Sequence, residues 1–150
     1  MRKFALAAIA GSLFVAPALA GPKEDAIAAR QGHFKLLGAN MGALAAMAKG
    51  EVDYDAKTAQ VHADNLALLS KSNIGFLFVP GTSSTDMPGK TRAKAEIWQD
   101  FPGIGAASAK LASAAVILQA EAGKGRGELG KALGAAGGAC KGCHDSFRDK

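Results

Sequence analysis

The two cysteines of the chain lie near its end, in the segment Cys140-Lys141-Gly142-Cys143-His144, where a histidine directly follows the second thiol. Two thiols at this spacing are compatible with four kinds of chemistry. They can form a disulfide, half of a metal site, a thiol–disulfide redox pair, or the attachment point of a larger group. Each alternative makes a different demand on the rest of the chain.

Three of the four alternatives find no support elsewhere in the sequence. A disulfide within one helical turn cross-links almost nothing. A thioredoxin-like redox pair needs a strand before it and a helix after it in an α/β pattern, which this helical sequence lacks. A structural zinc site needs four ligands, and the other histidines, His33 and His62, lie singly on separate predicted helices.

The remaining alternative is covalent haem attachment, for which Cys-x-x-Cys-His is the signature. Thiols at positions i and i+3 suit the two vinyl groups of a porphyrin, and a histidine at i+4 projects from the same helical face toward the iron. Both cysteines also fall in the inward stripe of the last predicted helix. We therefore predict one covalently bound haem c on Cys140 and Cys143, with His144 as the metal ligand.

The first twenty residues have the three parts of a secretory signal peptide. Arg2 and Lys3 precede an apolar run from Phe4 to Val15, which is too short to span a bilayer, and Ala18-Leu19-Ala20 supplies a cleavage site. We predict a signal peptide over residues 1–20, cleavage after Ala20, no membrane span, and a periplasmic location. Export fits the motif, because bacterial c-type haems are attached outside the cytoplasm.

The charge of the chain gives little reason to expect a nucleic-acid partner. The net charge of +5 includes Arg2 and Lys3, so residues 21–150 hold 16 Lys and Arg against 13 Asp and Glu, a net charge of +3. The basic residues are scattered along the sequence without a run of like charges. The length fits one domain, which we predict over residues 21–150.

Apolar residues at alternating spacings of three and four predict four amphipathic helices. We place the first at Pro22 to about Lys49 and the second at Asp55 to about Asn73. The third follows Pro102-Gly103 and runs from Ile104 to the turn at Gly123–Gly127, and the fourth runs from about Glu128 to Arg148. A long connection separates the second and third helices and contains a short helical piece around Arg92–Trp98. The pattern predicts an all-α fold, an antiparallel four-helix bundle. Its Ala- and Gly-rich helices would enclose one haem, which fills the interior that short side chains leave open.

A motif near the carboxyl terminus, four helices and a signal peptide together resemble the cytochrome c′ family, the class II c-type cytochromes. The resemblance covers residues 21–150. Its matching segments are Ala29-Arg30-Gln31 with Phe34, Phe78 to Asp86, Glu96-Ile97-Trp98, and Cys140 to Asp145 with Phe147-Arg148. Phe147 stands where the family usually has a tyrosine, a change that keeps an aromatic ring.

The resemblance implies a five-coordinate, high-spin haem, with His144 on one side of the iron and no protein ligand on the other. It makes Phe34 the distal residue, and a phenyl ring cannot ligate iron. The resulting apolar site admits NO and CO but offers water no hydrogen bond. The expected function is gas binding with one-electron transfer, including NO scavenging, rather than enzymatic turnover.

The resemblance also implies roles for residues around the haem. Arg30, on an inward stripe, would pair with the haem propionates, the alternative being a surface arginine that snorkels to solvent. Arg148 would lie over the proximal histidine or simply complement the helix dipole. Gln31, Thr85 and Asp86 would contact the haem, although Thr85 and Asp86 also suit an ordinary loop.

Three other functions compete with this interpretation. The first is a low-spin, six-coordinate electron carrier with His33 or Met41 as the distal ligand. The second is a peroxidase or NO-reducing enzyme, which the surroundings of Phe34 disfavour because they offer no acid–base pair. The third is a helical binding protein without haem.

Members of the family are commonly homodimers that pack through their first two helices. The sequence permits this packing, because small residues occupy positions predicted to face outward on those helices. These are Ala43, Ala45, Ala46, Ala59 and Ala63. The redox partner of the protein is left open by the sequence.

Overall fold

The computed structural model describes residues 21–150, and the predicted signal peptide lies outside this range. Four helices follow one another, namely α1 (Pro22–Lys49), α2 (Ala56–Ser70), α3 (Phe101–Glu121) and α4 (Arg126–Phe147). Two short 3₁₀ turns, Gly75–Leu77 and Ala95–Trp98, lie in the long connection of residues 71–100. Within residues 21–150 there is no strand, and one isolated bridge pairs Ala93 with Arg148. The predicted all-α four-helix bundle is confirmed.

Local sequence explains several helix ends. α1 begins at Pro22, whose missing N–H is not needed in a first turn, and Gly50 caps its end at a φ of 76°. Asp55 caps α2 by accepting a hydrogen bond from the Thr58 backbone N–H at 2.7 Å. Asp100 caps α3 in the same way, with the Gly103 backbone N–H at 2.9 Å.

The core of the bundle combines one fully buried leucine from each helix with many alanines. The leucines are Leu44, Leu66, Leu118 and Leu129. Helices that are neighbours in the sequence pack together across the core, and α1 also packs against α4, which closes the bundle. Ala59 and Ala63 are fully buried in this core, so the prediction that they face outward is wrong. α2 turns them inward because side chains this small let it approach its neighbours closely.

A buried amide links α1 to α2. Asn40 on α1 donates from Nδ2 to the backbone oxygen of Leu36 at 2.8 Å. Its Oδ1 accepts from His62 Nδ1 at 2.9 Å and from Asn65 Nδ2 at 3.2 Å, both on α2. The bond fixes Nδ1 as a protonated nitrogen of the His62 ring, because an amide oxygen only accepts.

A carboxylate links α2 to α3 in a similar way. Asp64 accepts hydrogen bonds on Oδ1 from Gln119 Nε2 at 2.9 Å and from Gln60 Nε2 at 2.8 Å. The bond from Gln119 and then the bond from Gln60 lower the pKa of Asp64 below its ordinary value, because they favour the charged form.

Within the described residues, α3 is the one helix whose length and composition would suffice to cross a membrane, with a mean hydropathy of 1.5. Sequence reasoning overlooked this property when it predicted no membrane span. α3 packs against α2 and α4 and contributes Ala114, Ala115 and Leu118 to the interior of the bundle. This packing accounts for only part of the apolar character of α3, because two of its apolar residues, Val116 and Ile117, are exposed.

Candidate functional site

A cavity of about 700 Å³ lies among α1, the connection, α3 and α4. This volume is within the range of small-molecule and cofactor sites. α4 lines the cavity with Cys140, Cys143 and His144, and α1 lines it with Phe34 and Met41. Small residues of the kind predicted to leave interior space line much of the rest, including Gly38, Gly105, Ala107, Ala112 and Ala139. The fold therefore brings the cysteine–histidine motif and Phe34 to one site.

The thiols of this site are free and half-buried. Burial raises the pKa of both Cys140 and Cys143, which keeps them protonated at neutral pH and distinguishes them from activated redox cysteines. Within residues 21–150, no group of three or more His, Cys, Asp or Glu side chains is arranged to hold a metal ion. A zinc site thus gains no support from the structure.

His144 is held in the form that ligates metals. Desolvation lowers its pKa, the positive charges of Arg148 and Arg92 lower it further, and Asp145 opposes them. The lowered pKa favours the neutral imidazole, which has a ring nitrogen with a free lone pair. A neutral imidazole and two thiols on the wall of one mostly apolar cavity fit a porphyrin with two vinyl groups and a central iron.

The residues proposed for the distal side differ in their position. Phe34 lines the cavity and meets the His33 ring edge-on, with ring centroids 5.5 Å apart. His33 is half-buried but does not line the cavity, and burial lowers its pKa. Met41 does line the cavity. Of the two alternative ligands, only Met41 is therefore placed at the site.

Arg30 is buried beneath the long connection, with 2% of its surface exposed. Its Nη1 donates to Thr82 Oγ1 at 2.7 Å and to the Leu77 backbone oxygen at 3.3 Å. Its Nη2 donates to Thr91 Oγ1 at 3.0 Å and to the Thr82 backbone oxygen. The alternative of a snorkelling surface arginine is wrong, because α1 directs this side chain into the protein.

Two aromatic rings complete the surroundings of Arg30. Its guanidinium carbon lies 5.3 Å from the ring centroid of Phe78 and 5.8 Å from that of Trp98. Trp98 Nε1 in turn donates to the Phe78 backbone oxygen at 3.0 Å. Phe78 lines the cavity although Arg30 does not. Arg30 thus reaches the site through Phe78, a contact that the sequence pattern did not reveal.

The other predicted haem contacts lie outside the cavity wall. Gln31 donates from Nε2 to the Lys90 backbone oxygen at 2.8 Å. Thr85 and Asp86 are exposed in the connection, where Asp86 accepts from Ser83 Oγ at 2.6 Å. Arg148 is exposed and pairs with Ala93 through its backbone. A haem role for these residues and for Arg30 remains a prediction.

Sequence reasoning missed much of the cavity wall. The connection contributes Ile74 and Phe78, and α3 contributes Ile104 and Leu111. The available signal was the run of large apolar residues within a loop-like segment, which indicated a covered surface without showing which one. The fold and the site together define a c-type haem protein built on a four-helix bundle.

Comparison with known proteins identifies the family. A family model described as Cytochrome C' matches residues 25–148. A cytochrome c' from Cereibacter sphaeroides is 45% identical over 150 residues, which cover 100% of this chain and 99% of that relative. The chain belongs to the cytochrome c′ family, whose members bind covalently attached haem c, and it therefore carries this cofactor.

Solved structures show the same fold. A cytochrome c' from Rhodobacter Spheriodes has a TM-score of 0.83 at 46% identity, over 87% of this chain and 99% of its own. A nitric oxide complex of a variant cytochrome c prime from Alcaligenes xylosoxidans has a TM-score of 0.73 at 30% identity, over 85% of this chain and 97% of its own. A cytochrome c' described with ligand-controlled dimer dissociation has a TM-score of 0.78 at 31% identity, over 87% and 99%.

Proposed function

We propose that the protein holds a five-coordinate, high-spin haem that binds NO or CO and exchanges single electrons. Cys140 and Cys143 would hold the haem through thioether bonds, His144 would supply the ligand to its iron, and Phe34 would line the binding site for the gas. The observation that carries the proposal is that Phe34 and the cysteine–histidine motif line the same cavity. Phe34 has no atom that can bind a metal.

Bound haem supplies reversible gas binding and a one-electron redox couple. The chain supplies the surroundings that decide which ligands enter. Phe34, Leu37 and Met41 present no hydrogen-bond donor, so a polar ligand beside them would lose its bonds to water without replacement. The polar lining residues, such as Ser70, Lys71 and Asn73, lie at the end of α2 and the start of the connection. The neutral ring of His144 is ready to bind without first losing a proton.

The same lining favours gas binding over peroxide chemistry. Peroxidases need an acid–base pair beside the open face of the iron. The cavity lining contains no carboxylate, and His144 is its one histidine. We infer a binding and electron-transfer protein that removes NO by binding it, rather than an enzyme.

Relatives support the partners and the location. The nitric oxide complex of the Alcaligenes xylosoxidans variant supports NO as a ligand. The relative with ligand-controlled dimer dissociation supports a homodimer. Packing through α1 and α2 is proposed from the family resemblance. The apolar run and the Ala18-Leu19-Ala20 site support export to the periplasm with removal of residues 1–20.

A second candidate function is a six-coordinate electron carrier with Met41 as the distal ligand. The observation that favours it is the position of Met41 on the cavity wall. Its packing against the leucines of the core favours a structural role for the same side chain.

Absorption spectra of the purified ferrous holoprotein, with and without CO, separate the two functions. We expect a high-spin spectrum that changes on CO addition and is the same in Met41→Leu. A low-spin spectrum that ignores CO in the wild type but responds to it in Met41→Leu would establish the second function instead.

A companion variant tests the role of Phe34. Phe34 is 45% exposed at the cavity, and once haem fills the cavity its ring would crowd an entering ligand. Crowding of this kind costs about 1–3 kcal/mol, so Phe34→Ala should raise the CO affinity about tenfold or more. Phe76→Ala is the matched control, because Phe76 is 76% exposed and does not line the cavity. Equal CO affinities in all three proteins would remove Phe34 from the binding site.

A further inference from the structure

The positive charge of the described chain is concentrated in two short segments. Residues 90–94 and 141–150 contain 6 of the 16 basic residues of residues 21–150 but only 2 of the 13 acidic ones, a net charge of +4. The remainder holds ten basic against eleven acidic residues, a net charge of −1. We call the charged side chains of these segments the terminal basic surface. Its cations are Lys90, Arg92, Lys94, Lys141, Arg148 and Lys150.

Distant parts of the sequence meet in this surface. The bridge between Ala93 and Arg148 joins the two segments. The Lys94 backbone N–H donates to the Phe147 oxygen at 3.1 Å, and the Asp149 N–H donates to the Arg92 oxygen at 2.9 Å. The fold thus turns scattered basic residues into one patch.

Five of the six cations of the terminal basic surface form no ion pair within residues 21–150. Arg92 Nε donates to the Asp149 backbone oxygen at 2.9 Å, and Lys94 Nζ donates to the Asp145 backbone oxygen at 3.1 Å. A carbonyl oxygen satisfies a donor but does not cancel a charge. Among the ion pairs of residues 21–150, only that of Lys141 with Asp145 lies here. Glu96, exposed two residues beyond Lys94, lowers the local sum to +3.

The terminal basic surface surrounds the end of α4 that carries the motif. Lys141 lies between the two cysteines, and the charges of Arg92 and Arg148 act on His144. None of the large apolar side chains exposed in residues 21–150 belongs to either segment. A surface that inserts into lipid combines cations with exposed apolar groups, so the composition favours an acidic protein over a membrane.

We propose that the terminal basic surface docks an acidic one-electron carrier protein beside the haem-bearing end of α4. The carrier loses one electron, the ferric iron gains it, and no bond forms or breaks. Opposite charges at such a surface raise the association rate and orient the two proteins. The proposal rests on the electron exchange of the proposed function, but the docking itself is measured separately.

The test uses the ferric holoprotein and an acidic plant-type ferredoxin as the probe. Binding is measured by calorimetry and electron transfer by stopped flow, at low and at near-physiological ionic strength. The double variant Lys90→Glu/Lys150→Glu changes the surface without removing a side-chain hydrogen bond. Its matched control, Lys57→Glu/Lys131→Glu, makes the same charge change on exposed residues near the amino-terminal ends of α2 and α4, at the opposite end of the bundle.

We expect the surface variant to weaken ferredoxin binding and slow electron transfer about tenfold or more at low salt, with the control within about twofold. Added salt should reduce the difference in binding and rate between the wild type and the surface variant, because it screens exposed charges beyond about 10 Å. Equal losses in both variants, or no salt dependence, would overturn the proposal. So would binding of the wild type to vesicles of anionic lipid in preference to ferredoxin. The CO spectrum of each protein tests the gas site independently, since docking does not require an open iron.

Discussion

At the scale of single residues, Arg30 combines two properties that rarely occur together, a full charge and almost complete burial. Four hydrogen bonds to Leu77, Thr82 and Thr91 and two aromatic faces offset the loss of water around its guanidinium. Each acceptor belongs to the connection rather than to α1. Arg30 is therefore the point at which α1 holds the connection in place, and with it the cavity wall at Phe78.

This position makes Arg30→Met strongly destabilising. Hydrogen bonds to a buried charged group contribute about 1.5–3 kcal/mol each, so we expect the free energy of unfolding to fall by about 3 kcal/mol or more. Gln31→Met, the control, removes one exposed bond to Lys90 and should cost less than about 1 kcal/mol. Denaturant unfolding of the holoproteins measures both.

A second measurement shows which part of the protein Arg30→Met destabilises. Limited trypsin digestion should cut after the exposed Lys90 and Arg92 faster in Arg30→Met than in the wild type, because the connection is released. Unchanged cleavage at these two sites, together with a small loss of stability, would contradict the role given to Arg30.

At the scale of elements, the helices were predictable because their patterns are local. The apolar spacing and the caps placed α1 at its observed ends, and α4 begins at Arg126, two residues before the predicted Glu128. α2 ends at Ser70, before the predicted Asn73. The Cys-x-x-Cys-His motif could be recognised from the sequence alone, because its spacing is local. The connection was not predictable, because Arg30 and its partners lie 47 to 61 residues apart and no local pattern records such a pairing.

Contacts between helices also set a pH dependence, and Asp64 between α2 and α3 provides the test. Its pKa is lowered from the model-compound value of 3.8, chiefly by hydrogen bonds from Gln119 and Gln60. A lowered pKa stabilises the fold above the unfolded value, and this contribution disappears as the pH falls through the folded value. The wild type should therefore exceed Asp64→Asn in stability at pH 7, and the difference should shrink below about pH 4.

Urea unfolding at pH 7 and pH 3 measures this difference. Asp53→Asn is the control, since Asp53 is exposed and accepts no side-chain hydrogen bond within the described residues. A difference between wild type and Asp64→Asn that stays constant from pH 7 to pH 3 would show that the carboxylate charge is not the cause.

At the scale of the whole molecule, the bundle places its functions at different parts of its surface. The motif and the terminal basic surface lie at the end formed by the connection and the last turn of α4. Along its length, α2 leaves Val61 and Leu68 exposed by 53% and 72%. Apolar side chains of this size at two turns' spacing suit a contact with a second copy of the chain.

One substitution on α2 and a matched substitution on α3 test the proposed homodimer. Val61→Lys should convert the dimer to a monomer, because it places a charge in the apolar contact. Val116→Lys changes the same residue type at a comparably exposed position, 44%, and should leave the dimer intact. Analytical ultracentrifugation of both holoproteins measures the oligomeric state. A Val61→Lys protein that stays dimeric, with a Val116→Lys protein that becomes monomeric, would place the interface on α3 instead.

The bridge between Ala93 and Arg148 has a consequence for the order in which the protein is made. The connection is held by Arg30 on one side and by residues 147–149 on the other. A chain exported by an amino-terminal signal peptide would reach the periplasm from its amino terminus, so residues 147–149 would arrive after every segment that they contact. Until they arrive, the connection has its contacts with α1 and α3 but lacks those with the end of α4. The wall of the cavity then closes in the same interval in which its haem-binding residues first become available.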